Sequence, residues 1–143
     1  MAFKVKIDKN DNLCSEMIRE RDKNKCVWCP KSAKDEWRMT NSHFWGRGNK
    51  TTRFHALNCD TLCFQCHADN EANKQGKYRT WKIDQLGETE YILLGVLANS
   101  TGKYGEFEKK LLWEMMSEDN KKKAHLKKGW RGYILYPGMV KRA

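Results

Sequence analysis

The chain has 143 residues, with 28 lysines and arginines against 18 aspartates and glutamates, a net charge of +10 and an isoelectric point near 9.4. Hydrophobic residues make up 39% and charged residues 32%, which allows one domain with a modest core and a large polar surface. No apolar run approaches the ~20 residues of a membrane span, and the positive balance is the electrostatic footprint of a polyanion binder.

Residues 3–7 alternate lysine with hydrophobes (Phe3, Val5, Ile7), which predicts a short strand or extended arm and no signal-peptide core. A cytoplasmic location is therefore expected. Residues 12–23 are predicted helical, with Leu13, Met17 and Ile18 as the apolar stripe and Glu16, Arg19, Glu20 and Arg21 outside it. The pair Cys26/Cys29 then makes a turn, and Pro30 blocks helix continuation.

Residues 37–44 are predicted to form a strand carrying His43. A turn-rich basic loop covers 46–53. Residues 54–62 are expected to return as a strand with Asn58 near its middle. A short helix over 63–74 would hold Cys66 and His67 in its first turn. Beyond it the chain reads as mostly helical, over 88–99 and 106–127 with a break at 102–105. Phe107, Leu111, Leu112, Met115 and Met116 give the second helix an apolar stripe. Residues 130–137 read as a strand or an ordered strap. The division is a core unit, 1–85, and a helical extension, 86–143, packed as part of one domain. The fold class is α+β.

Cys26, Cys29, Cys63 and Cys66 form two Cys-x-x-Cys pairs, each able to aim two thiolates at one ion. In a reducing compartment such pairs read as metal ligands rather than disulfides, so a structural Zn2+ is expected. A closed four-thiolate site leaves no position for water, and these cysteines are assigned no catalysis. Cys14 and Cys59 read as small buried hydrophobes.

Phosphodiester hydrolysis needs a base for water, a divalent cation on the phosphate and help for the leaving oxygen. His43 on the first strand suits the base. Asn58, by its side chain or backbone, suits the acceptor that fixes the base's tautomer. His67 at the start of the helix suits a ligand for a catalytic metal. Each has a plainer reading: a core or surface histidine, a turn residue, a helix-start residue. Within a zinc frame the three together point to a metal-dependent nuclease. His55 is a reserve candidate for DNA contact or metal, and His125 reads as solvated in a lysine-rich helix.

These residues resemble the HNH, or ββα-metal, nucleases, and among them the phage NinG/Rap recombination nucleases. The resemblance spans about residues 13–95. It rests on Ile18-Arg19-Glu20-Arg21-Asp22, the two cysteine pairs, His43-Phe44 with the Gly-Arg-Gly loop after it, Arg53-Phe54 with Asn58, and Tyr78-Arg79. It implies a zinc-stapled, treble-clef-like ββα-metal core with added N- and C-terminal helices. It also implies an Mg2+- or Mn2+-dependent endonuclease acting on branched DNA such as Holliday junctions and D-loops. His43 would be its base, Asn58 the orienting or metal-supporting residue and His67 a metal ligand. The pattern departs at Ser42, where many HNH enzymes carry an acidic ligand, and at His67, where asparagine is common in the NinG-like set.

Arg47, Lys50, Arg53, Lys74, Lys77 and Arg79 surround this unit and are expected to contact DNA phosphates. A second basic block covers 121–131, equally readable as a solvated helix end. Trp28, Trp37, Trp45 and Trp81 are candidates for base stacking, with core packing the plainer role. A homodimer through the 106–127 stripe is a hypothesis suited to a junction with two equivalent strands. The alternatives are a non-catalytic zinc-clip module that binds nucleic acid, and an HNH nuclease that cuts ordinary duplex.

Overall fold

The computed structural model describes residues 5–32 and 39–143. Trp37 and the start of the predicted first strand lie outside the described residues, as do the first residues of the N-terminal arm. Helix α1 covers Lys9–Arg21 and begins on a reciprocal cap. The Asp8 carboxylate accepts from the Asp11 N–H at 3.1 Å, and Asp11 returns the contact to the Asp8 N–H at 2.9 Å. Two of the orphan donors of the first turn are thereby satisfied.

Strands β1 (Met39–His43) and β2 (Cys59–Cys63) form an antiparallel hairpin in which His43 faces Cys59 and Met39 faces Cys63. Helix α2 (Phe64–Glu71) follows β2 without a break. The return strand is shorter than the sequence predicts. Residues 54–58 turn instead, and Asn58 closes a 3-10 turn, Ala56–Asn58, just before the strand. Helices α3 (Arg79–Leu86), α4 (Glu88–Ala98) and α5 (Glu106–Lys121) come next, then a second hairpin of β3 (Tyr133–Tyr136) and β4 (Met139–Arg142). The last long helix stops at Lys121 rather than near 127, where Lys123 takes a left-handed conformation and a 3-10 turn begins.

One core joins the two halves of the chain. Cys14, Met17 and Ile18 of α1 pack with Phe54, Ala56 and Cys59, with Leu112 and Met116 of α5, and with Tyr133, Leu135 and Val140 of the second hairpin. Four residues of the α5 stripe pack inside the chain: Leu112 and Met116 are fully buried, and Leu111 and Met115 pack against the same core, whereas Phe107 at its start is exposed. Cys14 and Cys59 are buried there as small hydrophobes.

The Ile18–Asp22 segment ties this core to the first hairpin. Arg21 donates to the carbonyls of Ala56 at 3.0 Å and Cys59 at 2.9 Å, while Asp22 accepts from the Thr61 N–H at 3.1 Å. Lys82 of α3 is buried against Asp60 of β2 at 2.6 Å. A buried pair of this kind is costly to break from one side, so α3 is held on the hairpin. Among the described residues no helix is long and apolar enough to cross a membrane.

Candidate metal and hydrolytic site

The four cysteines of the two pairs converge, with all sulfurs within 4.8 Å of one another. Zinc–sulfur bonds of about 2.3 Å place tetrahedral sulfurs about 3.8 Å apart, and Cys29 Sγ lies 3.7 Å from Cys63 Sγ. The Cys29 N–H points at Cys26 Sγ at 3.4 Å. Burial opposes a thiolate at Cys26, but N–H groups of Cys63, Cys29 and Trp28 outweigh it and lower the pKa. The donor set fits a structural zinc ion, which would fasten the loop after α1 to the start of α2.

His43 ends β1, is only 7% exposed, and lines a cavity of about 580 Å³. One of its nitrogens, Nε2, lies 3.0 Å from the Arg53 carbonyl oxygen. A carbonyl can only accept, so Nε2 carries the proton and Nδ1 keeps its lone pair. Burial above all, then the Arg47 charge, holds the His43 pKa down to about 3. At neutral pH His43 is a neutral imidazole with a fixed tautomer.

His67 lines the same cavity from α2. Its tautomer is also set. Thr40 Oγ1 donates its single proton to the Leu62 carbonyl at 2.8 Å, so the His67 Nδ1 2.8 Å away must donate to it. Nε2 is left as the acceptor, the form that binds a cation. Burial first, then Arg47 and Lys74, lower the His67 pKa, against an opposing pull from Glu71. Arg47 and Lys74 also line this cavity, placing positive charge beside the two histidines.

Asn58 does something other than orient His43 with its side chain. It is fully buried. Its Oδ1 accepts from the Trp45 N–H at 2.7 Å, and its Nδ2 donates to the carbonyls of Trp45 at 2.9 Å and Thr52 at 3.1 Å. Asn58 therefore clips together both ends of the 45–52 loop, whose next residue supplies the carbonyl that orients His43. Ser42 is buried and pairs with the Tyr78 hydroxyl at 2.9 Å, as expected of a strand residue whose neighbours Asn41 and His43 face the cavity.

The basic residues separate into two groups. Lys50, Lys77 and Arg79 are exposed, and Arg47 and Lys74 are partly so. Arg53, expected at the DNA surface, is instead buried. Its guanidinium meets Asp11 at 3.0 and 2.6 Å and the Lys6 carbonyl at 3.0 Å. His125 is likewise buried rather than solvated, with Nε2 against Glu20. His55 accepts from the Leu57 N–H at 3.2 Å and faces a different cavity, between α4 and the second hairpin. Trp28 packs on Trp81 with ring centroids 4.9 Å apart, and Trp45 packs edge-on to Phe44 at 6.0 Å.

Two cavity residues escaped the sequence reading. Asn41 lies two residues before His43 on the same strand face, and Glu71 lies one helical turn beyond His67. The i,i+4 spacing from His67 is the signal that could have found Glu71.

A family model described as Bacteriophage Lambda NinG protein matches residues 3–128. No curated protein and no solved structure matches the chain.

Proposed function

We propose, since the chain belongs to the phage lambda NinG family, that it is a divalent-metal-dependent DNA endonuclease of the HNH, ββα-metal type that acts on branched recombination intermediates. The observation that carries the reading is the state of His43. It is a buried imidazole kept neutral, with its proton fixed on Nε2 by the Arg53 carbonyl, in a cavity shared with the acceptor nitrogen of His67. Such a group takes a proton from water without first losing one of its own.

In this mechanism Nδ1 of His43 is the general base, and the Arg53 carbonyl stabilises the imidazolium that forms. Asn58 is a positioning residue that holds the loop presenting this carbonyl. His67 offers Nε2 to a catalytic cation, Mg2+ or Mn2+. Lewis-acid charge at the scissile phosphate is the chemistry such an ion would supply when bound. Arg47 and Lys74 receive the phosphate at the cavity, and Lys50, Lys77 and Arg79 extend the contact along the backbone. The zinc clip maintains the angle between hairpin and helix and takes no part in the chemistry.

The test compares cleavage of a four-way junction, a flap, single strands and linear duplex by the wild type and His43→Ala, with Mg2+ and with Mn2+. Wild-type nicking of the branched substrates is expected, as is its loss in His43→Ala with zinc content and DNA binding retained. Metal-dependent nicking that survives the substitution refutes the base assignment. A wild type that cuts no DNA identifies a zinc-clip binding module instead. Equal cutting of linear duplex removes the branch selectivity.

A further inference from the structure

We infer that the cavity beside the His43 site is a pocket for one unstacked nucleobase, that of the nucleotide next to the scissile phosphate. The inference rests on the nuclease reading for the identity of that phosphate, but its binding measurement needs no cleavage.

A second cavity, of about 420 Å³, adjoins the one that holds His43 and His67. Its apolar side is aromatic, formed by Phe44, Trp45 and Tyr91. Phe44 is 8% exposed and meets Trp45, Tyr78 and Tyr91 at interplanar angles of 85°, 79° and 67°. Trp45 is backed by α4, where a Cβ at Gly95 would stand 3.5 Å from its indole. Tyr91 is half-buried, and among the described residues its ring contact is this edge contact with Phe44 alone. None of these rings lies parallel on another, so a flat base can stack on a face that the protein leaves open.

The polar side carries Lys74, Gln75 and Arg79. They come from a wide π-type turn, Lys74–Tyr78, and from the first residue of α3. Turns of this kind recur at functional sites. Among the described residues, no hydrogen bond or ion pair engages the side chains of Gln75 and Arg79 or the Tyr91 hydroxyl. An amide offers both a donor and an acceptor to a base edge, and a guanidinium suits the phosphate attached to it. Gly46 and Lys74 line both cavities, so a base in one and a phosphate in the other are neighbours along one strand. A Cβ at Gly46 would meet no atom within 4 Å, and nothing crowds the passage between them.

Taking a base out of a duplex costs pairing and stacking, and the cost is least where the base is already unpaired. A branch point supplies such bases in any sequence. The pocket therefore reads the branch and not the sequence.

The test uses the zinc-loaded full chain without Mg2+ or Mn2+, and fluorescence anisotropy. Its probes are two duplexes, one with a single bulged adenosine and one with an abasic nucleotide at the same bulge. Wild type is expected to bind the adenosine bulge about tenfold more tightly. Tyr91→Leu is expected to bring this ratio near one, Tyr91→Phe to keep it, and Gln75→Ala, at an exposed position, to lower it about threefold. A variant that only disturbs the fold weakens both probes alike and leaves the ratio. A wild-type ratio of one, no measurable binding of either bulge, or a ratio unchanged in Tyr91→Leu overturns the inference. Should that variant fail to hold zinc, an unchanged ratio in Gln75→Ala overturns it. If wild type nicks a four-way junction but binds both bulges equally, the pocket falls and the nuclease reading stands. If the ratio depends on Tyr91 while wild type cuts no DNA, the base pocket stands and the nuclease reading falls.

Discussion

Replacing Asn58 with alanine strips three hydrogen bonds from a fully buried position: 2.7 Å from the Trp45 N–H, 2.9 Å to the Trp45 carbonyl and 3.1 Å to the Thr52 carbonyl. Each bond contributes about 1 kcal/mol net, and stranding the backbone partners adds desolvation, so the expected loss is about 3–5 kcal/mol. That is a large part of the ~5–15 kcal/mol that stabilises a domain. Asn58→Asp separates clip from chemistry. Its second oxygen would replace Nδ2 and face two carbonyls. The ionised form is then excluded, and the pKa of the new carboxyl is raised above its unfolded value. The penalty is therefore present at neutral pH and recedes as pH falls and the carboxyl takes up a proton. The assay is urea unfolding of zinc-loaded wild type, Asn58→Ala and Asn58→Asp at pH 7.5 and pH 5.5. Asn58→Asp is expected to be the less stable variant at pH 7.5 and to approach Asn58→Ala at pH 5.5. An Asn58→Ala protein within about 1 kcal/mol of wild type but unable to cleave would refute the clip and return Asn58 to the chemistry.

Other outcomes follow from the same contacts. Removing zinc with a chelator, or replacing Cys29 with serine, is expected to unfold the β1–β2–α2 unit, read as lost circular dichroism; an unchanged spectrum would mean that the core holds the hairpin unaided. Arg79→Ala and Lys77→Ala are each expected to weaken DNA binding on all sequences and to reduce the magnitude of the salt slope by about one. Unchanged slopes would place the DNA elsewhere. His55, its pKa lowered to about 4 chiefly by burial, binds a proton less readily folded than unfolded. Its contribution is complete above the unfolded value near 6.5 and is lost as pH falls toward 4, at about 1.4 kcal/mol per pH unit. Stability of His55→Gln should therefore fall less steeply than that of wild type between pH 6 and pH 5, and equal slopes would count against the assignment. Gly132→Ala would set a Cβ 2.5 Å from the Phe54 carbonyl at a φ of +75°, and a loss above about 1 kcal/mol is expected in urea.

What the sequence made legible was local. Two Cys-x-x-Cys pairs announce a metal clip because the geometry of each pair lies within one turn. His43 and His67 could be placed on a hairpin and a helix by the elements around them. What stayed hidden depends on partners far along the chain. Arg53 looks like a surface cation until Asp11, 42 residues earlier, takes its guanidinium. His125 sits among lysines but folds against Glu20, 105 residues away. Asn58 was legible as important but not as a clip, because its partners belong to a loop without periodicity. The apolar stripe of α5 announces burial but not its cover, which for Leu112 and Met116 is α1 and the second hairpin, while Phe107 on the same stripe stays exposed.

The second hairpin reaches back to the loop that orients His43. Ala56 N–H donates to the Arg131 carbonyl at 2.8 Å, and Tyr133 N–H donates to the Phe54 carbonyl at 2.9 Å. The bridge between His55 and Gly132 joins positions roughly 80 residues apart. At about 5–20 residues per second, a ribosome makes the His43 loop roughly 4–15 seconds before the strand that braces it. During those seconds a nascent chain can hold zinc and expose its basic surface while the braced form of the loop has yet to exist. The loop beside His43 thus takes its braced form only after residues 131–133 have been made.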